Sequence, residues 1–237
     1  MKPMRLVGLT ASLMLLGACS AAGTATDSTS PATLVVGSRT YTLAPPSVSS
    51  TYPAMYFSTL QDVVTYADAV VTVKVAGVRQ VPPSDEEKSL GEGVIGRNAR
   101  VAVQSTHWAR PGAPQPPASF EVSAGGWLFE DSNGSVKELR DTSQPWLTEG
   151  TEYVVPAVFT DFARQGNPRW ELLTSSALNF VGDRLAMPED MTASVAAQRD
   201  LIGKTPQEVL AILAATAPDK RADFALDPLE RWQRRHS

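Results

Sequence analysis

The chain has 237 residues, of which 43% are hydrophobic and 19% charged, with 16 Gly, 18 Pro and a single Cys. That apolar share supports one ordinary core and excludes a wholly disordered chain, and one Cys excludes both an intramolecular disulfide framework and a multi-cysteine zinc site. A formal net charge of −4 with only 2 His argues against a nucleic-acid partner and a histidine-based metal centre, so neither metal nor cofactor is expected.

At the N-terminus, Lys2 and Arg5 precede an apolar stretch over residues 6–16. The stretch is too short for a permanent membrane span and has the length of a signal-peptide core. It ends in Leu16-Gly17-Ala18-Cys19. This motif resembles the lipobox of bacterial lipoproteins, a Leu, two small residues and a Cys. The resemblance implies that residues 1–18 are a removed leader and that Cys19 carries diacylglycerol. It also implies an extracytoplasmic protein held on the bacterial cell membrane by its lipid. Each buried CH₂ of an acyl chain contributes about 0.8 kcal/mol, so two or three chains anchor stably. Loss of Lys2 and Arg5 takes the formal charge to −6, and no polybasic patch adjoins Cys19. Residues 19–33 are small and polar without apolar period, which predicts a flexible tether.

The body begins with a predicted hairpin over 34–43, turning at Gly37-Ser38 and setting Leu34 opposite Tyr41. Residues 57–66 predict a short helix with Ser58 as N-cap. Val70, Val71, Val73, Val75 and Val78 make the best strand of the chain. Residues 84–96, acidic and Gly-rich, predict a long mobile loop. They lack both phosphate-loop and EF-hand spacing. Alternation over 98–108 predicts a half-buried strand. Residues 118–130 predict another, with a bulge or bend at Gly125-Gly126. A fourth strand spans 151–159, where Pro156 implies an edge or a bulge. A fifth covers 170–181. Thr205-Pro206-Gln207-Glu208 reads as a capping box opening an amphipathic helix that stops before Pro218. Residues 191–201 predict a weaker helix, and Phe224, Leu226, Leu229 and Trp232 are candidate docking residues of the tail.

Five strands in this order, with the longest structured connection between the third and fourth, predict a mainly β chain. The expected fold is a small five-stranded OB-like Greek-key barrel with an N-terminal hairpin and a helical C-terminal appendage. The phrasing Ala67-Asp68-Ala69-Val70-Val71 and Trp146-Leu147-Thr148-Glu149-Gly150-Thr151-Glu152-Tyr153-Val154-Val155 resembles extracytoplasmic OB-like, netrin-like barrels over about half of the chain. Metalloprotease inhibitors of that class use a free, disulfide-bonded N-terminal Cys. Cys19 has no disulfide partner and the lipobox implies its acylation, so their mechanism does not carry over. The expected organisation is 1–18 leader, 19–33 tether, 34–186 β-barrel domain and 187–237 helical segment and tail.

Catalytic motifs are absent. His107 sits at a strand end without a triad motif, and the carboxylate pairs lie next to turns, where solvated charge explains them. Trp108, Trp127, Trp146 and Trp170 are candidates for a binding surface or for packing. OB barrels bind ligands through the 1–2 and 4–5 loops, here 80–97 and 160–169. Asp161, Arg164 and Asn167, with Trp108 and Trp127, are therefore the candidate ligand-binding residues. The expectation is a non-enzymatic binding module with an envelope protein or glycan as partner. The alternatives are an enzyme acting on envelope polymers or peptides, and an accessory subunit docking through the 205–217 helix and the Trp232 tail.

Overall fold

Valine runs and alternating segments form strands here because a wide apolar surface is available on both sides of the sheet. The computed structural model describes residues 33–36, 39–43, 47–48, 55, 57–130, 134–140, 144–161, 166–191 and 196–236. Cys19, the lipobox, the tether and the Gly37-Ser38 turn lie outside the described residues.

In chain order, β1 (Thr33–Val36) and β2 (Arg39–Leu43) are antiparallel with Leu34 opposite Tyr41, as expected. After β3 (Ser47–Val48) comes α1 (Leu60–Tyr66), capped by Thr59 rather than Ser58: Thr59 Oγ1 accepts the Asp62 N–H, and the Asp62 carboxylate accepts the Thr59 N–H. β4 (Ala69–Val81) is the valine strand. Residues 84–96 are not a loop. Ser84 and Glu87 form a capping box that starts α2 (Asp85–Leu90), Gly91 ends it at φ 73°, and β5 (Glu92–Ala109) begins at once. The Ser-x-x-Glu spacing carried that signal, and the glycines masked it.

β6 (Ser119–Glu130), β7 (Ser135–Arg140) and β8 (Glu152–Thr160) follow. Then β9 (Arg169–Leu172), a 3₁₀ turn (Thr174–Ser176) and β10 (Leu178–Val181) replace the single expected fifth strand. β11 (Arg184–Ala186) pairs back on β10. The C-terminal part carries α3 (Ala196–Leu201), α4 (Pro206–Ala215) and α5 (Pro228–His236). The capping box at Thr205 and Glu208 is formed.

The strands make one mixed sheet ordered β1-β2-β7-β6-β5-β4-β8-β10-β11, with β3 against β7 and β9 against β8. β2 and β3 run parallel to β7, and the other pairings are antiparallel. The sheet is open, and the closed five-stranded barrel is not what the ladder forms. Among the described residues β6 and β9 share no strand pairing. Phe120 of β6 and Trp170 of β9 meet through their rings instead, with centroids 6.3 Å apart.

β4 and β8 lie in the middle of the sheet and are covered on both faces, so they read as continuous apolar runs rather than alternating ones. Val71, Val73 and Val75 pack with Val101, Tyr153, Val155 and Trp170 in one core. Val70, Val154 and Val158 face a second core, built with Val64 and Tyr66 of α1, Leu213 of α4 and Leu229 of α5. The C-terminal helices thus share a core with the sheet. A third, small core joins Leu34 and Tyr41 of the hairpin to Ile95, Phe129 and Val136. Pro156 lies inside β8, not at an edge. Its carbonyl accepts the Leu173 N–H, so its missing N–H faces the same side, where the 3₁₀ turn interrupts the ladder.

Candidate functional site

The residue order Ala67-Asp68-Ala69 places a carboxylate where α1 hands over to an apolar strand. Asp68 is 1% exposed, and such a group must find partners. Its N–H donates to the Ala157 carbonyl and its own carbonyl accepts the Arg110 N–H. Its Oδ2 accepts the Phe159 N–H at 2.8 Å, and its Oδ1 accepts from the Arg110 guanidinium. One side chain therefore ties the start of β4 to β8 and to the residue just beyond β5. The Arg110 side chain is 13% exposed, so this is a buried ion pair.

Above the pair lies a pocket of about 410 Å³, walled by Val64, Trp108, Pro111, Leu213 and Phe224, with Arg110 as its charged member. Trp108 reaches it because β5 pairs Trp108 with Val70, which faces the helical core. Phe224 reaches it from the tail between α4 and α5, and its ring is shared by the guanidinium groups of Arg110 (5.7 Å) and Arg231 (4.8 Å). Arg110 Nε is buried without a hydrogen-bond partner. Thr216, the hydroxyl on the pocket wall, donates to the Ile212 carbonyl. What the pocket offers a ligand is apolar walls and one cation.

His107 points elsewhere. Its Nε2 lies 2.6 Å from Thr72 Oγ1 and 3.4 Å from Ser105 Oγ, and burial pushes its pKa below the usual imidazole value. Among the described residues no carboxylate orients the ring, which a hydroxyl–imidazole catalyst requires.

Trp108 lines the pocket, but Trp127 does not. It packs at the hairpin core, edge-on to Trp146 at 5.7 Å, and with Trp146 it brackets the Arg97 guanidinium. Asp161 accepts the Asn167 N–H at 3.0 Å and lines a third place, a cleft of about 850 Å³ bordered by Glu230, Gln233 and Arg234 of α5. Arg164 lies outside the described residues. Of the four described candidates, Asp161 and Asn167 thus lie together, while Trp108 and Trp127 occupy two other regions. Asp68, Arg110 and Arg97 were missed, and Phe224, expected as a docking residue of the tail, lines the pocket instead. A lone carboxylate at the head of a valine strand was the signal for the first two. Arg97 carried none.

A scan against protein-family models finds no match, and searches of the curated proteins and of the solved structures find none either. Among the described residues no helix is long and apolar enough to cross a membrane, and no cluster of three metal-ligating side chains occurs.

Proposed function

We propose that this chain is a lipid-anchored extracytoplasmic binding module of a bacterial envelope, without catalysis, whose ligand enters the Trp108–Arg110 pocket. The observation that carries the binding reading is the pocket itself. Apolar walls stand over a buried ion pair, and one guanidinium donor has nothing to donate to. Such a site suits a small apolar group bearing an oxygen acceptor. The anchor rests on the lipobox at Leu16-Gly17-Ala18-Cys19.

The β region is, in this reading, an OB-like barrel with its last seam unzipped. The pairings β4–β5, β5–β6, β4–β8 and β8–β9 are those between the first four neighbours of the five-stranded Greek key. The remaining seam, β6 against β9, is packed by Phe120 and Trp170. The accessory-subunit alternative draws no support from α4 and α5, because Val209, Leu213, Leu229 and Trp232 pack within the chain's own core.

Two measurements test the proposal. The native protein partitions with membranes at a mass carrying acyl chains, and Cys19→Ala is soluble. An unlipidated, freely secreted wild type sinks the anchor. For the pocket, anilinonaphthalene sulfonate, an aromatic with an anionic acceptor, binds saturably. Ala214→Trp, at an exposed position on the pocket wall, abolishes that binding. Dye binding unchanged in the variant sinks the pocket.

A further inference from the structure

A different cavity carries an inference of its own. The tail between α4 and α5 and the last turns of α5 enclose a cleft of about 230 Å³. It is lined by Arg221, Arg231, Arg234 and Arg235, with Asp223 as the carboxylate on its wall. Arg231 is 2% exposed. Its three donor nitrogens all go to main-chain carbonyls: Nη1 to Thr65 at 2.6 Å, Nη2 to Leu226 at 3.0 Å and Nε to Asp223 at 3.3 Å. Among the described residues no carboxylate lies within ion-pair distance of it. A buried charge with no carboxylate paired to it directly is costly, and carbonyl dipoles offset only part of that cost.

The rim carboxylates are engaged by other groups. Asp219 is shared by Arg221 and Arg235, with contacts of 3.1 and 2.9 Å, and these guanidinium groups hold its carboxyl far below the usual range. Asp223 reaches Arg234 at 3.4 Å. Asp227, the next carboxylate along the chain, is held by the Thr160 hydroxyl and the Leu229 N–H and acts on Arg231 only through its field. Four guanidinium groups therefore line the cleft, with Asp219, Asp223 and Asp227 as the carboxylates around it, in a space too small for a drug-sized ligand.

We propose that this arginine cleft binds a phosphoryl group, as a free ion or as the headgroup of an anionic phospholipid. A phosphoryl oxyanion brings negative charge and several acceptor oxygens to converging planar donors, the geometry in which arginine outperforms lysine. The site is separate from the Trp108 pocket, so it stands or falls independently of the dye experiment.

The test titrates the full chain with inorganic phosphate, against chloride at matched ionic strength, by calorimetry. Saturable binding is expected. Arg235→Gln should weaken it about tenfold, the loss of one charge-assisted contact. Asp219→Asn should tighten it, because it releases Arg221 and Arg235 from their carboxylate. Arg79→Gln, whose partner Glu121 lies elsewhere, should leave it unchanged. Vesicles separate the two sources, using the Cys19→Ala chain so that no acyl chain inserts. Flotation with phosphatidylglycerol but not phosphatidylcholine vesicles, reduced by phosphate and by Arg235→Gln, assigns the headgroup. Phosphate binding without flotation assigns the free ion. Absence of both, binding indifferent to Arg235→Gln, or weaker binding in folded Asp219→Asn overturns the proposal.

Discussion

Arg97 and Arg231 are the same residue type in nearly the same predicament, at opposite ends of the β5 region and the C-terminal tail. They are 5% and 2% exposed, neither has a carboxylate within ion-pair distance among the described residues, and burial lowers the pKa of both. Both bind carbonyls and both lie over aromatic rings. Their surroundings differ. Arg97 occupies a bulge: between the pairs Gly96–Gly126 and Asn98–Ser123, β5 has one residue and β6 has two. Its Nη1 donates to Ala124 inside that bulge, its Nη2 to Leu147, and Trp146 closes over it at 3.9 Å. Arg231 opens onto a cleft with three further arginines. A buried guanidinium is thus not a binding site in itself. It is structural where rings and carbonyls complete its surroundings, and it becomes a candidate where the neighbouring space is cationic and unfilled.

Arg110 sharpens the contrast, because it has the carboxylate the other two lack. Asp68→Asn should give the largest loss of stability, about 4 kcal/mol by urea unfolding, because it strands the Arg110 charge in the interior. A loss below about 1 kcal/mol would show that Arg110 relaxes into solvent. Gly126→Ala comes next, at about 3 kcal/mol. An added Cβ would sit 2.2 Å from the Ile95 carbonyl oxygen, main chain that has no side-chain freedom to yield. Arg97→Met should cost about 2 kcal/mol, from two orphaned carbonyls and a lost ring–cation contact, and equally in phosphate and chloride buffers. For Arg231→Met the deficit should grow in phosphate, since only the wild type gains from the bound ion. A phosphate-independent deficit at both positions would make the two arginines equivalent and erase the distinction.

Local chemistry was legible from the residues, and chemistry assembled across long separations was not. The Leu34–Tyr41 register, the Thr205 capping box and the Gly125-Gly126 bulge each depend on neighbours within a few positions, and each is formed. The helix at 85–90 was missed although its signal was equally local, because the three nearby glycines outweighed a four-residue cap. Arg97 meets Leu147 fifty positions away, and Arg231 meets Thr65 across 166. No period or motif encodes such meetings. The spread of Trp108, Trp127 and Asp161 over three regions has the same origin. Each was a reasonable ligand contact alone, and only the path of the sheet and tail decides which side chains converge.

The smallest expected effect tests how different side chains answer the same desolvation. A guanidinium keeps its proton when buried because its reference pKa is so high. An imidazole begins near neutrality, so burial beside Thr72 and Ser105 disfavours the charged form of His107 and lowers its pKa. Its folded pKa then lies below the unfolded value of about 6.5. Between the two values the unfolded chain holds more protons, so stability rises with pH there and is lost as pH falls through that window. Wild type should therefore weaken between about pH 7.5 and 5.5 in urea unfolding, above the range in which the carboxylates titrate. His107→Gln keeps an amide beside Thr72 and removes the titration, so its profile should be flatter. Parallel profiles would mean that the ring is as hydrated in the fold as in the unfolded chain. In that case His107 would belong with the solvent-facing groups, and burial at this strand end would impose its cost only on side chains that cannot turn outward.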